Sequence, residues 1–307
     1  RVMVLFSLVS GAVLSVVTSD LRTAELPMLY QMFHLLVPSD ILLADRGFGN
    51  FVLLALLGHF KPGVDFIGRS ARRVDGRRRL KRLGAGDWLV AWKKGNNPSL
   101  WLPAPVWALL PKEITVRIVR GSCCAKGFRV RQVTLVTTLL DAERYPASEI
   151  LQAYLRRWRL EMCLDDIKTT LELEMLRSRS PQMLQKEIYA HLIAHNLIRC
   201  AMAQAATEHA LPLERISFKG TLDAVRQFTQ AVSQARSKKK RSQLWNKLLQ
   251  TLARDLVPER PGRREPRAVK RVKNKYPRLS CSRHIFSDRP KRSVRRTISR
   301  MRNLGLK

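Results

Sequence analysis

The sequence predicts an α/β fold interrupted by a β-stranded insertion and completed by a helical part with a basic tail. Three patterns predict it. Strand-like and helix-like runs alternate over residues 1–68, the order expected of an α/β layer structure. Short β-type runs separated by basic turns occupy 69–145, long helically periodic segments fill 146–257, and 258–307 is basic and proline-rich.

Taken in order, residues 1–18 read as two strands joined at Ser10-Gly11. Residues 22–37 read as a helix with Pro27 in its first turn, where the missing N–H is tolerated. The apolar run Ile41-Leu42-Leu43-Ala44 reads as a buried strand ending at Asp45, and Gly47 is expected to let the chain turn sharply after it. The run NFVLLALLGHF over 50–60 reads as a helix stopped by Pro62-Gly63, and Val64 to Ile67 as a further strand.

In the insertion, DWLVAW, ITVRIVR and FRVRQVTLVTTLL read as strands. Arg117, Arg120, Arg129 and Arg131 alternate with valines and isoleucines, the period of a half-exposed strand. Helices are expected over 148–176, 182–208 and 221–256, the last with a basic break at Lys238 to Arg241. The final 50 residues hold 18 Lys plus Arg against 3 Asp plus Glu. Such a segment is expected to stay disordered until it meets a partner.

Composition narrows the function. With 45% hydrophobic residues the chain can build a core. Its 57 Lys plus Arg against 24 Asp plus Glu leave a net charge of +33. That excess favours a polyanion, because neutralising phosphates releases condensed counterions. The opening apolar run imitates a signal peptide, but Ser10-Gly11 breaks it, and no stretch reaches the ~18 uninterrupted apolar residues of a membrane span. Cysteines 123, 124, 163, 200 and 281 form no CxxC pair and read as reduced thiols.

Two groups of residues could carry chemistry. Asp45 stands at the C-terminal end of a buried strand, where open α/β sheets build their sites. The bland alternative is that it caps the following helix. In YLRRWRLEMCLDDIKTTL, Tyr154, Arg157, Glu161, Asp165 and Lys168 fall within about 80° of one another on an ideal helix. Leu160, Leu164, Ile167 and Leu171 would pack inward on the sheet. The bland alternative here is a solvated face laced with i,i+4 pairs such as Arg157–Glu161.

Together these groups match a pattern. The spacing Tyr154-x2-Arg157-x3-Glu161-x6-Lys168 resembles the signature of the "insertion sequence four" family of DDE transposases. The segment ADRGF at 44–48 resembles that family's second-aspartate strand, RVMVLFSLVSGAVL the strand pair after its first aspartate, and RPGRREPRAVKR its C-terminal stretch. The resemblance implies a ribonuclease-H-like catalytic fold with a β-stranded insertion. Glu161 stands 116 positions after Asp45, which leaves room for one.

By the same resemblance, Asp45 and Glu161 would be the second and third acids of the DDE triad and hold two Mg²⁺ ions, with Mn²⁺ as a substitute. Arg157 and Lys168 would hold DNA phosphates, and Tyr154 would pack against the DNA backbone. The partners implied are double-stranded DNA, as transposon ends and target, and a second copy in a synaptic homodimer. No membrane is involved, and the expected place is the bacterial cytoplasm, at the nucleoid. The family's first aspartate is expected ahead of Arg1, and neither Asp20 nor Asp40 can replace it. The chain as given is therefore expected not to be a competent transposase. The alternative is a non-catalytic, DNA-binding remnant of a transposase.

Weaker signals remain. His191 and His195 are spaced i,i+4, but no Glu stands at 192, so they read as ordinary helix residues. Trp88, Trp92, Trp101 and Trp107 read either as the core of the insertion or as base-stacking platforms. The runs at 72–73, 77–79 and 238–241 are expected to touch DNA backbone without sequence specificity.

Overall fold

The computed structural model describes residues 1–70, 79–122 and 132–258. Its contacts divide the chain into Arg1–Gly262 and Arg263–Lys307, and all the described residues belong to the first unit. Cys123, Cys124, Cys281, Arg72, Arg73, Arg77, Arg78, Arg129, Arg131 and the tail from 259 lie outside the described residues.

Two valine-rich runs form an antiparallel hairpin, β1 (Val2–Phe6) and β2 (Val13–Thr18). Gly11 turns it with φ +70°, a left-handed conformation that suits glycine. The helix α1 (Glu25–Gln31) follows, with Pro27 in its first turn as expected. Next come β3 (Ile41–Ala44), α2 (Phe51–Phe60) and β4 (Asp65–Arg69). β3 and β4 pair in parallel, so this segment is a βαβ unit. α2 is apolar on almost every side and is buried from Phe51 to Leu57, with only Val52 partly exposed, before its last turn emerges at 58–60; Leu56 and Leu57 are fully enclosed.

The strands of the insertion are β5 (Arg79–Gly84), β6 (Asp87–Lys93), β7 (Glu113–Gly121) and β8 (Val133–Thr137). They extend the sheet begun by β3 and β4. The six-stranded order is β3-β4-β8-β7-β6-β5, with every pairing except β3–β4 antiparallel. β5 and the short helix α3 (Ala104–Leu109) carry no clear periodic signal in the sequence.

Both faces of this sheet are covered. On one, α2 packs with Phe66, Val116, Ile118 and Val136. On the other, α4 (Ala147–Leu155) brings Ile150 and Tyr154 onto Ile67, Val119 and Leu135. Double coverage explains why Val116–Val119 are buried consecutively instead of alternating. It also corrects the half-exposed reading of Arg117, which is 0% exposed. The four tryptophans of the insertion join the first core; Trp92 is buried and Trp88, Trp101 and Trp107 partly so.

The region expected to be one helix over 148–176 is divided. After α4 the chain turns at Arg156-Arg157, resumes as α5 (Trp158–Asp165), and passes into a π-helical turn, Asp166–Thr170. Two different cores demand the break. α4 serves the sheet, whereas Ile167 packs with Ile188 and Leu192 of α6 (Pro181–Glu208) and with hairpin residues Phe6, Val13 and Val16. A straight helix cannot present apolar stripes to both.

α6 grips the hairpin. The Asn196 side chain accepts from Val13 N–H at 2.8 Å and donates to Val13 O at 2.9 Å, and Arg199 donates to Ser10 O. α7 (Phe218–Gln234) and α8 (Lys238–Arg254) pack with the C-terminal half of α6 around Met202, Leu222 and Leu249. The run at 238–241 opens α8 behind its cap Ser237. Among the described residues no helix is long and apolar enough to cross a membrane.

Candidate active site at the end of strand β3

Asp45 lies exposed immediately beyond β3. It does not cap α2. Asn50 does, accepting from Leu53 N–H at 3.1 Å, while Asp45 Oδ1 accepts from the adjacent Arg46 N–H at 2.7 Å. The capping alternative for this carboxylate is thereby removed.

The glycine that matters in the turn is Gly49 rather than Gly47. Gly47 does not have positive φ, and a Cβ there would meet nothing closer than 3.7 Å. A Cβ on Gly49 would stand 2.6 Å from the Arg69 carbonyl oxygen. Residues 45–50 can therefore lie against the end of β4 only with glycine at 49. Across the parallel pair Ala44 stands opposite Gly68, so the next residues along the two strands are Asp45 and Arg69.

The opposite wall comes from α4 and α5. Tyr154 is 6% exposed on the sheet face of α4, with its hydroxyl enclosed and the Arg157 guanidinium as its polar neighbour. Burial raises its pKa above the ordinary phenol value and the Asp45 carboxylate raises it further, while Arg157 and Arg69 act in the opposite direction. The Arg157 guanidinium lies 5.6 Å from the Tyr154 ring centroid. Arg157 then donates from Nη2 to Glu161 Oε1 at 2.8 Å. Burial works against the charge on Arg157, but Glu161, Tyr154 and Asp45 more than offset it and push its pKa up.

Three of the expected residues, Tyr154, Arg157 and Glu161, thus form one contiguous group. Asp45 is tied to that group electrostatically through both Tyr154 and Arg157. The i,i+4 pair Arg157–Glu161 also exists, so the bland reading of the face is correct as far as it goes. Lys168 is exposed in the π-helical turn, away from the Tyr154–Arg157–Glu161 group. The π turn breaks the regular phase on which the shared face from Glu161 to Lys168 was counted. Asp165 does not join the group; its Oδ1 accepts from Thr169 Oγ1 at 2.9 Å.

Sequence reasoning missed Arg69, whose charge acts on Tyr154. The signal was available as a basic residue ending the strand parallel to β3. The reading of His191 and His195 as ordinary helix residues agrees with the packing of His195, which is fully buried, stacked on Phe218 and edge-on to Phe6.

The family description "Transposase DDE domain" matches residues 1–197, a span that holds all five of these positions. The chain belongs to the DDE transposase family, in its IS4 group. One relative is the transposase InsG for insertion sequence element IS4 of Escherichia coli (strain K12), 26% identical over 268 residues, covering 84% of this chain and 56% of that protein. Another is the transposase for insertion sequence element IS421 of Escherichia coli, 33% identical over 186 residues, covering 52% of this chain and 50% of that protein. The chain spans about half the length of the curated relatives it matches.

Proposed function

We propose that this chain is catalytic-domain sequence of a DNA transposase that cuts and joins phosphodiesters at transposon ends, on a ribonuclease-H-like fold. In this reading residues 1–68 and 146–257 make the ribonuclease-H-like part, and 69–145 is an insertion built onto its sheet. The observation that carries the reading is the Arg157–Glu161 ion pair, 2.8 Å long, on the helix side, with Asp45 at the end of β3 close enough for its charge to act on Arg157.

The donors fit Mg²⁺. Both carboxylates are at least partly exposed, and Mg²⁺ is commonly held by one or two carboxylates, with water and substrate phosphate completing its shell. Asp45 and Glu161 would hold it. Two such ions, or Mn²⁺ in their place, would activate the attacking oxygen and stabilise the leaving one.

The chain's own residues do the rest. With Glu161 engaged in holding a metal, Arg157 would be left to direct its guanidinium at a DNA phosphate. Arg69 and Lys168 add positive charge for the same strand. Tyr154, packed beneath the Arg157 guanidinium, supports that cation against the DNA backbone. The net charge of +33 brings double-stranded DNA to this face with steep salt dependence. Two copies joining two DNA ends, at the bacterial nucleoid, complete the reading.

A second reading keeps the DNA grip and omits the chemistry. Among the described residues no three His, Cys, Asp or Glu side chains gather as a metal-binding group. Nicking of supercoiled plasmid by the chain with Mn²⁺ separates the two. Nicking that disappears in both Asp45→Asn and Glu161→Gln supports the enzyme. Salt-sensitive DNA binding with no nicking supports the binder.

A further inference from the structure

The insertion contributes one buried ion pair, and that pair holds the approach to α4. Arg117, on β7, is fully enclosed and donates from Nε to Asp87 Oδ1 at 2.8 Å and from Nη2 to Asp87 Oδ2 at 2.5 Å. Its remaining nitrogen, Nη1, faces three backbone carbonyls of the segment between β8 and α4: Leu139 at 3.3 Å, Asp141 at 3.2 Å and Tyr145 at 2.7 Å. A planar fork with fixed donors can satisfy a carboxylate on one side and a loop on the other, which a lysine ammonium cannot do in one geometry.

The loop is fixed at its other points too. Thr138 Oγ1 donates to Asp65 Oδ1 at 2.7 Å and accepts from Phe66 N–H, tying the loop to β4. Asp141 Oδ1 accepts from the N–H groups of Glu143 and Arg144. Tyr145 is followed directly by Pro146, the N-cap of α4. The carbonyl held most closely by Arg117 thus sits at the start of the helix that carries Tyr154 and leads to Arg157 and Glu161.

We propose that Arg117 and Asp87 are positioning residues, which set where α4 begins and so hold Tyr154, Arg157 and Glu161 against Asp45. The inference rests on the reading of those four as site residues. It gives strands β6 and β7 a task at the site without touching DNA or metal: they carry the pair that fixes the start of α4 to the sheet, and through α4 the turn that leads to Glu161.

Removing one partner alone leaves the other charge buried and unpaired, which endangers the fold. The test therefore uses the double variant Asp87→Leu/Arg117→Met, which keeps apolar volume, beside Arg117→Lys. Three readouts apply to the whole chain: thermal melting, hydrogen exchange of the amides of residues 147–165, and Mn²⁺ affinity with its electron paramagnetic resonance spectrum. The expected result for the double variant is a cooperative melt and exchange at 147–165 faster by at least about tenfold, with α2 unchanged. Its Mn²⁺ affinity should be about tenfold weaker or worse, with an altered spectrum. Arg117→Lys, which keeps a charge opposite Asp87 but not the planar fork, should lose less of that affinity than the double variant.

Unchanged exchange at 147–165 in the folded double variant overturns the proposal. So does faster exchange with unchanged Mn²⁺ affinity, if Glu161→Gln abolishes Mn²⁺ binding. If Glu161→Gln leaves Mn²⁺ binding intact, the assignment of the site fails instead, and hydrogen exchange alone then decides whether the pair holds α4.

Discussion

Arg157 and Glu161 are joined by a 2.8 Å ion pair one helical turn apart, so the acid assigned to metal binding is already occupied by the cation assigned to DNA. The two partners exchange places in the proposed cycle. The pair is partly exposed, and such pairs contribute at most about 1 kcal/mol. Arg157→Ala should therefore tighten Mn²⁺ binding in the absence of DNA by no more than about fivefold. The same change should weaken duplex DNA binding and lower the slope of log K against log salt by about one. Titrations of metal and DNA on one preparation check both halves.

Tyr154→Phe separates stability from function. The hydroxyl is buried, and its polar neighbour is the Arg157 guanidinium. The variant should melt within about 1 kcal/mol of the parent chain, while DNA affinity falls. A larger loss of stability would mean that the hydroxyl holds Arg157 in place.

Gly49→Ala should be destabilising by about 1–3 kcal/mol, because its Cβ would meet a backbone carbonyl that cannot swing away. Gly47→Ala, with nothing closer than 3.7 Å, should change stability by less than about 0.5 kcal/mol. Chemical denaturation of the two variants tests the assignment of the tight turn to 49.

Stability against pH should reveal two opposing groups near the hairpin and α6. Burial, with help from Asp165 and against Arg199, raises Asp166 to about 6. The folded chain holds that proton more tightly, so its contribution is full below pH 3.8 and is lost as pH rises through 6. Burial lowers His195 to about 4, with Asn196 opposing the shift and Arg199 adding to it. Its contribution is full above pH 6.5 and is lost as pH falls through 4. Each amounts to roughly 1–3 kcal/mol, and the slopes oppose one another between pH 4 and 6. Asp166→Asn should leave the histidine alone, so its melting temperature should climb more steeply with pH than that of the parent chain. His195→Leu should reverse the slope.

Much of the architecture was legible in periodicity. The valine hairpin, the βαβ unit whose first strand leads to Asp45, three strands of the insertion and the long α6 all follow from local pattern. What was not legible depended on neighbours. Nothing local marks Arg117 as buried, because its partners come from β6 and from the loop before α4. The break at Arg156-Arg157 was hidden for the same reason, since it answers to two cores built by distant strands and helices. At the site, the Tyr154, Arg157 and Glu161 spacing carried the helix side. Arg69 escaped notice because its place beside Asp45 follows from the pairing of β3 with β4 rather than from sequence proximity.

The central claim is that Asp45 and Glu161, far apart in sequence, serve one metal site. Mn²⁺ binding followed by electron paramagnetic resonance, with a DNA duplex present, tests it most directly in the chain, Asp45→Asn, Glu161→Gln and the double variant. The account predicts that each single change removes most of the bound Mn²⁺ and that the double change adds little further, because both remove the same site. Independent, additive losses, or binding untouched by either change, would contradict it.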